Sequence, residues 1–292
     1  MPHHPQLFRR SRCAMRPTIP RPFQVNAEDS AMPLRLIQLS DLHLFGDPSA
    51  TLLGITTRQS FEAVLSLALA QPDPPQALIL SGDLVQDASA AGYRYLRERL
   101  KRTEIPHYCI AGNHDLPALL TEHLGAAGLG AVALRRLAGW NLIFLDSSAA
   151  EQVSGVLTPT QLEQLAALLA AETAPALICL HHHPLSIGST WMDQIGVSNG
   201  AALLALCERH PQVKAVLFGH VHQAFAEQRG SCWFLGAPAT CFQFKPRSVN
   251  FALDDQPPGY RELTLYPDGQ VRTRIVRLSA YAEIPLPQAG GY

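Results

Sequence analysis

Residues 213 to 223 read VKAVLFGHVHQ, an apolar run followed by a glycine and by two histidines one residue apart. A short apolar run that contains β-branched residues and is closed by a turn residue predicts a buried strand. The glycine at position 219 lets the backbone turn sharply where the strand ends. The stretch therefore predicts a strand over 213–218 that delivers His220 and His222 to one edge of a sheet.

Five earlier stretches have the same short, apolar character, and we interpret each of them as a buried strand. They are LRLIQL (34–39), ALIL (77–80), HYCI (107–110), NLIFL (141–145) and ALICL (176–180). Helical patterns separate several of these strands, over residues 59–70 and 200–209 and most clearly from Thr158 onward. Strands that alternate with helices predict an α/β layered domain.

The helix that begins after Thr158 carries its own start signal in the sequence TPTQLEQLAALLA. Thr158 can cap it, Pro159 suits the first helical position, and Gln161 completes a capping box. Its leucines at positions 162, 165 and 169 fall on one face. Near the C-terminus, residues 260–278 predict a β-hairpin that turns at residues 267–269.

The composition excludes several classes of protein. With 23 Lys and Arg against 24 Asp and Glu, the net charge of −1 argues against a nucleic-acid polymer or an acidic membrane surface as partner. No apolar stretch approaches the ~18 residues needed to span a bilayer. Six scattered cysteines without a Cys-x-x-Cys pair predict a reducing, cytoplasmic compartment.

Residues 1–31 differ from the remainder because they are rich in arginine and proline and lack apolar periodicity. We expect them to be a disordered extension, or the product of a start site placed too early, with Met15 or Met32 as the true start. Residues 32–292 are then expected to form one domain.

Polar residues of the kinds that bind metals come directly after five of the predicted strands. They are Asp41 and His43, then Asp83, then Asn113, His114 and Asp115, then His181, His182 and His183, and finally His220 and His222. A single histidine after a strand is usually a core or surface residue. Ligand-type residues at five strand ends are much harder to obtain by chance, and the carboxyl ends of strands are where α/β proteins build their sites.

Oxygen and imidazole ligands without thiolates suit Zn, Mn, Fe or Co. The set is too large for one tetrahedral ion, so it suggests two ions that share a bridging carboxylate. Two ions about 4 Å apart activate a water and hold the oxygens of an in-line displacement at phosphorus. In an extended step, His220 and His222 would share one face, and each could reach a different ion.

The motifs DLH, GDL, GNHD, HHHP and GHVH, in this order over residues 34 to about 222, resemble those of the calcineurin-like metallophosphoesterase family. The stretches HHHPLSIGSTWMDQIGVSNG and APATCFQFKPRSVNFALDDQPPGYRELTL resemble one branch, the bacterial class III 3′,5′-cyclic-nucleotide phosphodiesterases that act on cyclic AMP. The resemblance implies a four-layer α/β/β/α sandwich of two mixed sheets flanked by helices.

The resemblance also implies residue roles. The ligands of the first metal would be Asp41, His43 and His222, the bridging carboxylate would be Asp83, and the ligands of the second metal would be Asn113, His182 and His220. The catalytic pair would be His114, which contacts the phosphate, and Asp115, which fixes the imidazole of His114. The substrate-binding positions would be His43, Asp83, Asn113, His114 and His222.

The implied activity is hydrolysis of 3′,5′-cyclic AMP to 5′-AMP by a metal-bridging hydroxide, with two metal ions per chain. Iron and manganese are the expected ions, zinc is an alternative, and a homodimer is a further expectation. Related enzymes act instead on glycerophosphodiesters, nucleotide-sugar pyrophosphates or phosphoproteins. A non-catalytic interaction module on the same fold is the remaining alternative.

Residues 240–251, TCFQFKPRSVNF, return toward the metal-binding loops after one short strand. Phe242 and Phe244 could stack on a nucleotide base there, and Lys245 or Arg247 could meet a phosphate or a ribose. The alternative is that the two phenylalanines belong to the core and that the charges are solvated.

Overall fold

The structure, a computed structural model, describes residues 32–286. The expectation for residues 1–31 concerns a part of the chain outside this range, and the domain boundary at residue 32 stays a prediction. Within the described range, no helix combines the length and the apolar character that a membrane span requires.

The first half of the described chain contains seven strands and four helices. In chain order they are β1 (Leu34–Leu39), β2 (Thr51–Leu52), β3 (Ile55–Thr56), α1 (Thr57–Leu69), β4 (Ala77–Ser81), α2 (Ala90–Lys101), β5 (His107–Ile110), α3 (Pro117–Leu124), β6 (Ala133–Leu137), β7 (Trp140–Phe144) and α4 (Pro159–Ala171).

The second half contains eight strands and two helices. They are β8 (Ala176–Cys179), α5 (Thr190–Asp193), α6 (Gly200–Arg209), β9 (Val213–Phe218), β10 (Phe225–Arg229), β11 (Cys232–Gly236), β12 (Gln243–Phe244), β13 (Leu253–Asp254), β14 (Gly259–Leu265) and β15 (Val271–Arg277). All six strands predicted from apolar runs are present, and their ends agree with the structure to within one residue.

The strands form two larger mixed sheets. The first sheet has the order β15-β14-β1-β4-β5, in which β1, β4 and β5 are parallel and β14 and β15 are antiparallel to their neighbours. The second has the order β10-β11-β9-β8-β7-β6, with β11, β9, β8 and β7 parallel and an antiparallel strand at each edge. The parallel strands of each sheet therefore end at a common edge.

Three apolar clusters separate four layers. Leu36 of β1 and Leu217 of β9 belong to the cluster that both sheets share, so the sheets pack face to face. The next residue of β1, Ile37, faces the other way and packs in the cluster that holds residues of α1, α2 and α3. Val216 of β9 packs in the cluster that contains residues of α4 and α6. This arrangement confirms the expected α/β/β/α sandwich.

The sequence signals for α4 and for the C-terminal hairpin are also confirmed. The Thr158 hydroxyl accepts a hydrogen bond from the Gln161 amide at 3.2 Å, and Pro159 is the first helical residue. Two of the three leucines predicted to share a face, Leu165 and Leu169, are buried. Strands β14 and β15 pair antiparallel around a tight turn, in which Gly269 has a φ of +87°.

The core between the sheets generates a stability prediction. Phe144 is fully buried there, and its ring centroid lies 5.2 Å from that of Tyr108. We expect Phe144→Ala to lower the free energy of unfolding by about 3–5 kcal/mol, because the two facing sheets cannot close the cavity. Urea unfolding measures it, with Val249→Ala as control because Val249 is 67% exposed. Equal losses in both variants would contradict the assignment of Phe144 to this core.

Candidate metal centre

Five loops meet at the edge where the parallel strands of both sheets end. They follow β1, β4 and β5 of the first sheet and β8 and β9 of the second. The isolated bridge between Leu44 and Val85 continues the pairing of the first two loops beyond β1 and β4. The predicted ligand residues therefore come from both sheets and converge on one place.

Five of these residues have a left-handed backbone, which side chains other than glycine rarely adopt. They are Asp41 (φ 53°), His43 (46°), Asp83 (52°), His220 (67°) and His222 (44°). Such conformations cost of the order of 1–3 kcal/mol each and tend to cluster at functional sites. The fold holds the ligand-type residues in strained conformations at the strand ends, which is a signal of function that is independent of residue type.

The backbone at His220 and His222 corrects one expectation. An extended step was predicted to place both side chains on one face, whereas both residues are left-handed and the chain bends between them. The bend sends the two rings to different groups. His222 joins Asp41 and His43, and His220 joins His181 and His182; within each group the candidate ligand atoms lie within 4.8 Å of one another.

The first group is formed by Asp41, His43 and His222, all fully buried. The Nε2 atoms of His43 and His222 are 3.2 Å apart, and that of His222 is 3.4 Å from Asp41 Oδ1. The Nδ1 atoms point away from the group, to Gln86 Oε1 at 2.6 Å for His43 and to the Phe242 carbonyl at 3.0 Å for His222. These outer contacts orient both Nε2 atoms inward, as partners of metal-binding histidines commonly do.

Asp83 lies between this group and the next. Its Oδ2 is 3.9 Å from His43 Nε2 and 3.3 Å from His181 Nε2, and it has no hydrogen-bond donor among the described residues. Its Oδ1 accepts the His114 amide at 2.9 Å. Burial opposes ionisation of this carboxyl, yet the imidazole of His181 brings its pKa well below the usual value. Asp83 thus offers a carboxylate to both groups.

The second group contains His220, whose two ring nitrogens are buried without a hydrogen-bond partner among the described residues. Burial lowers the pKa of this imidazole well below its ordinary value, so it is neutral and can donate a lone pair. The Nε2 of His181 lies 3.2 Å from Asn113 Oδ1, and its Nδ1 lies 2.8 Å from the Ser81 carbonyl. His181 therefore has one nitrogen anchored and the other aimed at Asp83 and Asn113.

This geometry favours His181 over His182, the histidine expected from the sequence, as the ligand. The Nδ1 of His182 is 2.9 Å from the Ser147 hydroxyl and its Nε2 is 3.0 Å from the Val153 carbonyl, so both nitrogens already have protein partners. The ring lies in the same group as His181 and His220, and each of the three offers one candidate ligand atom. The partners of His182 are a hydroxyl and a carbonyl outside the centre, whereas the Nε2 of His181 lies beside Asp83 and Asn113. The sequence places three histidines side by side after β8 and does not report the direction in which each ring points.

Asp115 has contacts that its expected role did not include. Its two oxygens accept hydrogen bonds from the backbone amides of Leu84, Val85 and Gly112 and from the Tyr93 hydroxyl. Burial raises the pKa of this carboxyl to about 6. With these donors Asp115 joins the loop after β5 to the loop after β4, which is a positioning role, and the fixing of the His114 imidazole stays a prediction.

His114 and Asn113 are half-buried, whereas Asp41, Asp83 and His220 are fully buried. The His114 ring centroid lies 5.2 Å from that of His43 in an edge-to-face arrangement, and a ring nitrogen lies within 4.8 Å of the ligand atoms of His43 and Asp83. The centre is therefore closest to solvent on the His114 side.

Phe242 and Phe244 are fully buried, and their rings pack on His222 with centroid distances of 4.9 Å and 4.3 Å. They hold a metal-type imidazole from behind, which supports the core alternative and contradicts base stacking. Lys245 and Arg247 are exposed.

The two groups together meet the requirements of a pair of metal ions. The donors are imidazole nitrogens, carboxylates and one amide, without a thiolate, and this set suits Zn, Mn or Fe. Within residues 32–286, Asp83 Oδ2 and the ring nitrogens of His220 are buried without a hydrogen-bond partner, and an ion would satisfy the carboxylate oxygen and one of the nitrogens. Two facing mixed sheets with such a paired centre at their strand ends define a two-metal hydrolase.

The comparisons with known proteins agree with this class. The model of the calcineurin-like phosphoesterase family matches residues 34–224, and the chain belongs to this family. A 3′,5′-cyclic-nucleotide phosphodiesterase of Nostoc sp. is 39% identical over 85% of this chain and 93% of that protein. The 3′,5′-cyclic adenosine monophosphate phosphodiesterase CpdA of Escherichia coli (strain K12) is 36% identical over 89% of this chain and 95% of that protein.

Among solved structures, a dimetal phosphatase from Danio rerio superposes with a TM-score of 0.61 at 16% identity, over 85% of this chain and all of that one. The GAP50 anchor of the Plasmodium inner membrane complex gives a TM-score of 0.60 at 13% identity, over 88% of this chain and 90% of that one. At these identities the likeness concerns the fold alone.

The contrast between the adjacent histidines is directly testable. We expect His181→Ala to lose one ion per chain and nearly all turnover of bis(p-nitrophenyl) phosphate, because it removes a nitrogen aimed at Asp83. His182→Ala should keep its metal and instead lose about 1–3 kcal/mol of stability, because Ser147 and the Val153 carbonyl lose a buried partner. Elemental analysis and urea unfolding of both variants measure the difference. Loss of metal in His182→Ala with retention in His181→Ala would restore the original choice.

Proposed function

We propose that the protein is a metal-dependent phosphodiesterase that hydrolyses 3′,5′-cyclic AMP to 5′-AMP. The observation that carries the proposal is the paired centre, in which Asp83 stands between two groups of ligand-type side chains. The relatives support the substrate, since those named CpdA from Escherichia coli and Pseudomonas aeruginosa are matched over 89% and 83% of this chain.

The residues would hold the ions as two sets that share one carboxylate. Asp41, His43 and His222 would bind the first ion, and Asn113, His181 and His220 would bind the second. Iron or manganese is the pair that we propose, with zinc as the alternative. When bound, such ions supply Lewis acidity and charge neutralisation at the phosphorus.

Substrate binding and proton transfer would involve the half-buried residues on the solvent side of the centre. A phosphodiester bound at the centre carries negative oxygens and a leaving 3′-oxygen that gains charge as the bond breaks. The imidazole of His114 lies beside His43 and Asp83, so it can donate a hydrogen bond to a phosphoryl oxygen or a proton to the leaving oxygen. His43, Asp83, Asn113, His114 and His222 would thus border the substrate.

The loop that carries His114 is held from behind. Tyr93 donates its hydroxyl to Asp115 Oδ1 at 2.9 Å and accepts the Leu116 amide at 2.8 Å. The His114 amide itself is bound to Asp83. These bonds fix the imidazole relative to the centre, and catalysis needs such preorganisation. A homodimer and a cytoplasmic location stay predictions; the first is measured by sedimentation.

A hydrolysis panel tests the proposed substrate. Cyclic AMP, cyclic GMP, 2′,3′-cyclic AMP, glycerophosphocholine and bis(p-nitrophenyl) phosphate are compared with enzyme loaded with iron, manganese or zinc. We expect cyclic AMP to have the highest kcat/KM among the biological substrates. A higher value for glycerophosphocholine, or a metal-loaded protein that turns over none of the five compounds, would refute the proposal.

His114→Ala should keep its metal and lower kcat on cyclic AMP by roughly 10²–10⁴, the usual range for a positioned acid–base group. Bis(p-nitrophenyl) phosphate should lose less, because p-nitrophenolate leaves without a proton. Steady-state kinetics with elemental analysis measure both effects, and His107→Ala is the control because His107 lies at the start of β5, away from the centre. Loss of metal would move His114 into the ligand set.

A further inference from the structure

A cavity of about 480 Å³ opens beside His222, one of the proposed ligands of the first ion. This volume lies within the range of pockets that bind small molecules. Three segments line it: the two residues that follow His222, the segment from Pro246 to Gln256 that contains β13, and the end of β15. The proposed chemistry does not use these segments, and His222 is the lining residue that links the cavity to the centre.

The walls of the cavity combine two kinds of surface. Pro246 and Ile275 contribute apolar surface, while Gln223, Asp254 and Gln256 contribute hydrogen-bonding groups. A mixed lining of this kind suits a planar heterocycle, whose faces are apolar and whose rim carries donors and acceptors.

Gln223 is the clearest pointer to a ligand. Its side chain is only 4% exposed, and its Nε2 is buried without a hydrogen-bond partner among the described residues. Buried amide donors are nearly always satisfied, so this donor requires an acceptor that the described chain does not provide. Gln223 follows His222 directly and lines the same cavity, so the acceptor that its Nε2 requires would belong to a molecule in that cavity.

Two residues of opposite charge, Arg277 and Asp254, also line the cavity. The Arg277 Nη1 donates to the Pro257 carbonyl at 2.6 Å, which fixes the guanidinium. Burial lowers the pKa of this guanidinium, and the negative charge of Asp254 opposes that effect. An acceptor and a donor of fixed orientation are thereby presented to the cavity.

We propose that this cavity binds the nucleoside half of the cyclic nucleotide, with Gln223 and Arg277 as residues that determine specificity. The inference rests on the proposed function. In a 3′,5′-cyclic nucleotide the phosphate is tied to the ribose by two bonds, so the nucleoside cannot lie far from the ions. The cavity touches a ligand of the first ion, and its rim offers donors and an acceptor for ring nitrogens and an exocyclic amine.

The test compares two substrates that share the phosphodiester and differ in the nucleoside. Gln223→Leu and Arg277→Met are measured with cyclic AMP and with bis(p-nitrophenyl) phosphate, and metal content is recorded for each variant. Matched controls are Gln228→Leu and Arg272→Met, since both residues are exposed and lie outside the cavity. We expect kcat/KM for cyclic AMP to fall about 10-fold or more through KM in both cavity variants. The loss on bis(p-nitrophenyl) phosphate should be at least about five-fold smaller.

Three outcomes would overturn the inference. Equal losses of kcat/KM on both substrates would mean that Gln223 and Arg277 only position His222. Arg277→Met is included because Arg277, unlike Gln223, is distant in sequence from every proposed ligand. Unchanged kinetics in both cavity variants would place the nucleoside elsewhere. If the wild-type enzyme cleaves bis(p-nitrophenyl) phosphate but no cyclic nucleotide, the proposed function itself is wrong. This result is obtained without any variant, so it is distinguishable from a failure of the cavity inference alone.

Discussion

The carboxylate of Asp83 lies between two groups of buried imidazoles, and the rest of the site depends on bringing both groups to it. The first group takes Asp41 and His43 from the first sheet and His222 from the second. The second group reverses the proportions, with His181 and His220 from the second sheet and Asn113 from the first. The centre therefore forms only if the two sheets pack in one relative position.

Polar contacts beneath the centre fix that position. The side-chain amide of Gln38, on β1, donates to the Ser81 hydroxyl at 2.9 Å and across to the carbonyl of Phe218 on β9 at 3.0 Å. The Asp41 carboxylate accepts the amide of His220 from the opposite sheet. Backbone bonds from the amides of Asp41 and His43 to the loop after β4 then hold the left-handed residues in place. The strain at the ligands is thus offset by bonds that the same loops make.

Much of this could be predicted from the sequence, because strand ends and ligand-type residues are local features. The six apolar strands, the α4 cap and the final hairpin follow from such patterns. Strand β6 was missed because it is a half-exposed edge strand with Arg135 and Arg136 at its centre. The choice between His181 and His182, and the role of Asp115, depend on which partners surround each side chain. These partners come from distant loops, such as Ser147 and Tyr93, so no local pattern reports them.

The central claim is that one carboxylate serves two ions, and metal stoichiometry tests it most directly. Metal per chain is measured by elemental analysis for the wild-type protein and for Asp83→Ala, with Asp73→Ala as control because its carboxylate is a surface group paired with Arg35. The account predicts two ions per chain in the wild type and the control. Asp83→Ala should bind one ion or none and should lack turnover, because two cations would lose their shared negative charge. Two ions retained in Asp83→Ala with near wild-type rates would contradict it.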